Sequence, residues 1–261
     1  MIGRLVAVAL KELDDVRQSR LILTTLVVPT LLYILMSVLA LWVGALPGQA
    51  GLGLDAIERA MPQQANASAA GAFQSLLVDQ VLVLYLLAPL FIPLTIASYS
   101  IIGEKQVRTL EPLLATPIRT WELLVAKALA ALIPGVLVSW VSYASFLVLA
   151  LIHGSFEILR FAVGPVWLVS FGILSPLFAL LAVGLAVIAS ARTSDPRAAQ
   201  QLGAIVILPI SGLLTAQVFG LIRLDVSHSL LMSAAAGICD VALLWAAVRL
   251  FDRETILTRW R

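Results

Sequence analysis

The residues best suited to chemistry lie in one charged segment, residues 103–118. Acidic, basic and hydroxyl side chains alternate there with leucines: Glu104, Lys105, Arg108, Thr109, Leu110, Glu111, Leu113, Leu114 and Thr116. Thr116 followed by Pro117 is typical of a helix start, because a hydroxyl caps the first turn and proline fits its first position. A short amphipathic helix of this kind predicts a docking surface for a partner. The alternative is a solvated interfacial loop whose cations only orient the chain.

Asp240 is a single carboxylate deep inside a long apolar run, residues 229–250. A charged Asp at the centre of a membrane helix costs about 2.5–3.5 kcal/mol on insertion scales. We therefore expect Asp240 to face protein or water, or to be protonated. One interpretation places it on a substrate path or a dimer interface, and the other makes it a protonated structural group bonded to a neighbouring helix. Lys127, near the end of another apolar run, is predicted to be structural or related to coupling.

Several other chemistries have no residues to support them. Cys239 is the single cysteine, so an intrachain disulfide and a cysteine-based metal site are excluded, and His153 and His228 are too far apart in sequence to suggest a metal site. The sequence has no phosphate-binding loop of the pattern G-x-x-x-x-G-K-[ST]. We therefore predict no catalytic residue, no metal and no cofactor bound by this chain, and we expect no nucleic-acid partner.

The composition indicates that these residues belong to an integral membrane protein. Of 261 residues, 61% are hydrophobic and 12% are charged, and the mean hydropathy is +1.03. A soluble domain carries about twice that charge, and a disordered chain requires low hydrophobicity. A bilayer-spanning helix needs roughly 20 apolar residues. Six such runs predict an all-α integral membrane protein with spans at about 21–46, 81–103, 121–152, 163–190, 203–222 and 229–250.

The distribution of basic residues predicts the orientation. If the N-terminus is cytoplasmic, 14 of the 17 lysines and arginines fall in inside segments and 3 fall outside. Cytoplasmic segments are enriched in these residues. We therefore expect both termini in the cytoplasm of a multi-pass protein of the cell (inner or plasma) membrane.

The chain is predicted to form one domain, residues 1–261, with three segments outside the spans. Residues 47–80 are expected to form an outer loop and residues 104–120 a cytoplasmic region. Residues 1–20 are expected to form an amphipathic helix in the cytoplasmic interface, or a cytoplasmic extension of the first span. Its apolar face would hold Ile2, Leu5, Val6, Ala9, Leu13 and Val16, and its polar face Arg4, Lys11, Glu12, Asp14, Asp15 and Arg17.

The charged segment resembles a known signature. The run Glu104-Lys105-x-x-Arg108-Thr109-Leu110-Glu111-x-Leu113-Leu114-x-Thr116-Pro117, followed by Glu122 and Lys127, is similar to that of the ABC type 2 transporter permease family. The six-span layout and the amphipathic N-terminal helix resemble the family as well. Two positions depart from the pattern, because Arg108 and Ala126 stand where the family usually has glycine.

The resemblance implies a function. Family members are membrane subunits of ATP-driven transporters, mostly exporters, in which two permeases pair with two copies of a separate P-loop ATPase that binds ATP and Mg²⁺. Residues 104–120 would then be the coupling region and the N-terminal helix would flank it. The residues implied in coupling are Glu104, Lys105, Arg108, Thr109, Leu110, Glu111, Thr116 and Pro117.

Two other functions are open to a chain of this composition. A stand-alone, ion-coupled secondary transporter would use Asp240, but such proteins usually have inverted repeats and broken polar helices at mid-membrane. An intramembrane enzyme would need clustered polar groups at one depth. The sequence shows no internal repeat and no second carboxylate near the depth of Asp240, so the permease is favoured.

Overall fold

A computed structural model describes residues 2–43, 69–106, 120–193, 195–218, 221–222 and 224–250. Every regular element in these ranges is helical. The α-helices are α1 (Ile2–Gln18), α2 (Arg20–Val43), α3 (Ala69–Tyr85), α4 (Ala88–Gln106), α5 (Thr120–Ile152), α6 (Phe156–Ala162), α7 (Pro165–Val169), α8 (Ser175–Arg192), α9 (Pro196–Gly203), α10 (Ile207–Val218) and α11 (Val226–Leu250). A π-helical segment, Ser170–Leu174, joins α7 to α8, and a 3-10 turn, Ala204–Val206, joins α9 to α10.

Six helical stretches are long and apolar enough to cross a bilayer, which confirms the all-α, six-span fold. We number them span one to span six: Ile22–Trp42, Leu77–Glu104, Val125–Ile152, Pro165–Arg192, Pro196–Gln217 and Val226–Ala247. Two boundaries differ from the sequence prediction. Residues 69–80, expected in the outer loop, are helical, and span five begins at Pro196, before the expected residue 203. In both cases the added residues are less apolar than the run they extend, so hydropathy alone missed them.

Span two lies at the centre of the bundle. In its most apolar stretch 83% of residues are buried, against 11% in span one. Its second half, α4, packs against α5, α8 and α9, and α11 packs against α8. The contact of α4 with α5 is close at Gly135, where a Cβ would collide with the ring of Pro93. Glycine is therefore required at this crossing.

Span two is interrupted at Leu86 and Leu87, between α3 and α4. The amides of these two residues donate to the carbonyls of Val83 and Leu84 at 3.0 Å each, so the break is closed by i→i−3 hydrogen bonds. Backbone polar groups must be satisfied within a bilayer, and this pattern satisfies them. Pro89, in the first turn of α4, fits there because the first amides of a helix have no intrahelical acceptor.

Span four contains a second irregularity that proline explains. The Ser175 amide donates to the Ser170 carbonyl, five residues back. In the same register the Phe171 carbonyl would face Pro176, which has no N–H. The indole nitrogen of Trp140 on α5 donates to that carbonyl at 2.8 Å. A side chain from a neighbouring span thus replaces the missing backbone bond.

Candidate functional site: a buried ion-pair cluster

Lys127 is the centre of the most highly charged buried site among the described residues. It lies in the early part of α5 and is 6% exposed. Its ammonium is 3.0 Å from Glu12 Oε1 and 2.9 Å from Glu104 Oε1. It also donates to Ser100 Oγ at 2.8 Å. A lysine has three N–H donors, and here each one has an acceptor.

These acceptors come from two further helices, so one ammonium joins three elements. Glu12 belongs to α1, whereas Ser100 and Glu104 belong to α4 and lie one helical turn apart. The Ser100 hydroxyl in turn donates to Glu12 Oε2 at 2.7 Å. We call Glu12, Ser100, Glu104 and Lys127 the ion-pair cluster. Both carboxylate oxygens of Glu12 are therefore engaged within it.

Lys11 forms the outer side of the cluster. Its ammonium lies 3.5 Å from Glu12 Oε1, 3.7 Å from Glu104 Oε1 and 3.2 Å from Asp15 Oδ2, and its side chain is 55% exposed. With Lys11 included, two ammonium groups lie near the carboxylates of Glu12 and Glu104. Each of these carboxylates thus has an oppositely charged partner, which is the condition for removing ions from water.

The environment holds these groups in their charged forms. Burial by itself would raise the pKa of Glu12, but the Lys127 ammonium and the Ser100 hydroxyl outweigh it, and the pKa of Glu12 lies below its usual range. Burial would lower the pKa of Lys11, but the hydrogen bond to Asp15 and the nearby carboxylates raise it. Each group therefore stabilises its partner in the ionised state.

The position of Glu12 corrects the sequence prediction for the N-terminal helix. Glu12 was placed on the polar face, but it is 6% exposed, as is Val16 one turn later, whereas Leu10 is 56% exposed. Helix α1 packs against α5 and also contacts α2. The prediction of the polar face was wrong at Glu12. This carboxylate pairs with the buried ammonium of Lys127, and helical periodicity contains no information about tertiary partners.

Of the residues predicted for coupling, the structure brings Glu104 into the cluster. Lys105 lies in the last turn of α4, and nothing is described for its side chain. The others, Arg108, Thr109, Leu110, Glu111, Thr116 and Pro117, lie outside the described residues. Because α4 ends at Gln106 and α5 begins at Thr120, the cluster joins the two helices between which this segment runs. Ser100 was missed, and its sequence context offers no signal.

Asp240 has a different environment. It is 3% exposed, and neither carboxylate oxygen has a hydrogen-bond partner among the described residues. It lies on α11, which packs against α8 and the π-helical segment. No ion pair links it to the cluster within the described ranges. Its assignment to a substrate path stays a prediction.

A small neutral network lies near the middle of the bundle. The Ser37 hydroxyl donates to the Tyr33 carbonyl at 2.8 Å, and Tyr85 Oη donates to Ser37 Oγ in a very short hydrogen bond. Tyr85 Oη also lies 3.3 Å from the same carbonyl. An apolar cavity of about 180 Å³ adjoins Tyr33 and is bounded by α2, α4 and α10. Phe91 and Ile207 contribute to its wall. Sequence reasoning missed this site because its polar groups are isolated among apolar residues.

Six apolar spans and an ion-pair cluster at the facing ends of α4 and α5 define a polytopic membrane protein. The family described as ABC-2 family transporter protein matches residues 48–236, well over half of the chain. The chain therefore belongs to the ABC-2 transporter family, and it is a permease of an ABC transporter. The matched range includes Ser100, Glu104 and Lys127 but not Glu12. No curated protein sequence gives a match.

Proposed function

We propose that this chain is the membrane subunit of an exporter, that it forms the translocation pathway as a dimer, and that a separate P-loop ATPase drives it through residues 104–120. ATP and Mg²⁺ would bind that partner and not this chain. The observation that carries the proposal is the ion-pair cluster, which joins the two helices flanking this segment. Because the cluster fixes the ends of α4 and α5 to each other, a force that a partner applies to this segment would act on spans two and three together.

The proposed topology has both termini in the cytoplasm and the ion-pair cluster at the cytoplasmic ends of spans two and three. The test is cysteine accessibility in whole cells, in a Cys239→Ser background. A cysteine replacing exposed Gln18 is expected to resist a membrane-impermeant maleimide until the membrane is opened, whereas one replacing exposed Glu157 on α6 reacts at once. The opposite pattern would invert the topology.

The partner is tested by affinity purification in mild detergent with mass spectrometry. We expect a P-loop ATPase to copurify in a fixed ratio and to be lost on Glu111→Lys, because a reversed charge in the segment opposes docking. Glu157→Lys is the matched control, because Glu157 is exposed on α6, on the opposite side of the proposed topology. Native mass spectrometry of the same preparation reports whether two copies of the chain are present.

One outcome would replace the proposal by another function. Asp240, buried without a described partner, favours a secondary transporter if the chain purifies alone and transports in response to an ion gradient. In that case Asp240 would be the coupling site.

A further inference from the structure

We propose that Glu12 is a positioning residue that makes α1 move together with the helices flanking the coupling segment. The inference rests on the proposed function, because it concerns how a movement produced by the ATPase travels. The juxtaposition that carries it is the contact of one carboxylate on α1 with the Lys127 ammonium, which also binds Glu104 on α4. Glu12 acts through Lys127, so it needs no contact with the ATPase or the cargo.

The first step concerns the α4–α5 link, which exists without α1. Lys127 to Glu104 is 2.9 Å and Lys127 to Ser100 is 2.8 Å. These two contacts fix the end of α4 to the early part of α5. Whatever displaces residues 107–119 therefore acts on both helices together.

The second step adds α1. Glu12 ties α1 to this pair by two polar contacts through buried groups: Oε1 to Lys127 at 3.0 Å and Oε2 to Ser100 at 2.7 Å. The further contact of Lys11 with Glu104 is longer, at 3.7 Å, and its side chain is 55% exposed. Solvent-exposed pairs hold helices weakly, whereas buried, charge-assisted bonds hold them firmly.

The third step concerns what α1 adjoins. Only Ser19 separates α1 from α2, the amide of Ser19 bonds to the Asp15 carbonyl at 3.1 Å, and the amide of Leu23 bonds to the Ser19 carbonyl at 2.9 Å. The amide of Ser19 is thus bonded to α1 and its carbonyl to α2. A movement passed to α1 through Glu12 reaches span one, the span with the smallest buried share in the bundle.

The test is hydrogen exchange on the complex of the chain with its copurifying ATPase, in lipid nanodiscs, with and without ADP-vanadate. In the wild type we expect trapping to change exchange both in α1 and at the facing ends of α4 and α5. In Glu12→Leu we expect the change at α4 and α5 to remain and the change in α1 to fall by about tenfold, because the buried link is cut. Arg17→Gln is the matched control, because Arg17 is an exposed charge on the same helix.

Glu12→Gln provides the graded variant, and it also serves if Glu12→Leu does not fold. An amide keeps an acceptor for Lys127 but not the charge, so the α1 response is expected to lie between those of wild type and Glu12→Leu. A purely structural role would alter baseline exchange of α1 and leave its response to vanadate intact. An unchanged response in both Glu12 variants, with α4 and α5 still responding, would overturn the role of Glu12 alone. Absence of any copurifying ATPase would instead overturn the proposed function, and with it the proposal that Glu12 passes an ATPase-driven movement to α1.

Discussion

Two regions of the bundle bury charged residue types in opposite ways. At the proposed cytoplasmic end, Lys127 is 6% exposed and has an acceptor for each of its three donors. In span six, Asp240 is 3% exposed and has no hydrogen-bond partner among the described residues. Each charged group of the ion-pair cluster has an oppositely charged partner, whereas the described residues offer none to Asp240. We therefore expect the cluster to contribute strongly to the packing of α1, α4 and α5, and Asp240 to contribute little to the packing of the described helices.

The largest effect is expected from Lys127→Met, which removes the cation and leaves Glu12 and Glu104 buried together. Breaking a buried pair by deleting one partner costs about 3–5 kcal/mol, because the remaining charges are uncompensated. Thermal unfolding in detergent should show a clear loss. Lys11→Met is the control and should cost about 0–1 kcal/mol, since its contacts are largely exposed. Equal losses of unfolding free energy in the two variants would show that the buried contacts of Lys127 stabilise the fold no more than the exposed contacts of Lys11.

The pH dependence sharpens the same comparison. The pKa of Glu12 in the folded protein lies below its ordinary value of 4.5, so its ionised form stabilises the fold above that pH. The contribution is lost as the pH falls through the folded-state pKa. The melting temperature of the wild type should therefore decrease more steeply below pH 4.5 than that of Glu12→Gln. Parallel curves for the two proteins would contradict the assignment.

The smallest effect is expected from Asp240→Asn. A carboxyl group without a hydrogen-bond partner among the described residues loses little when replaced by an amide of the same shape, so the free energy of unfolding should change by about 1 kcal/mol or less. The measurement is the same thermal unfolding. A loss comparable to that of Lys127→Met would mean that Asp240 is as firmly compensated as the cluster, and the contrast between the two regions would disappear.

The sequence predicted the spans well because each is a long apolar run whose length matches a bilayer. It did not locate the break at Leu86 and Leu87, since the run is apolar on both sides and Pro89, which follows the break, is also tolerated within membrane helices. The cluster was predicted in part. Glu104 stands in the recognised motif and Lys127 is conspicuous near an apolar run, but Glu12 lies 115 residues before Lys127. Pairings over such a separation depend on how the helices pack, which local spacing does not encode.

The break in span two has a mechanical consequence. Helix α4 begins at Ala88, directly after the break, and ends at Gln106. At 1.5 Å per residue, Glu104 therefore lies about 24 Å along the helix from the break. A tilt of α4 by about 10° at the break would displace Glu104 by about 4 Å. A small change of angle at Leu86 and Leu87 is therefore geometrically equivalent to a displacement of several ångströms at the other end of α4.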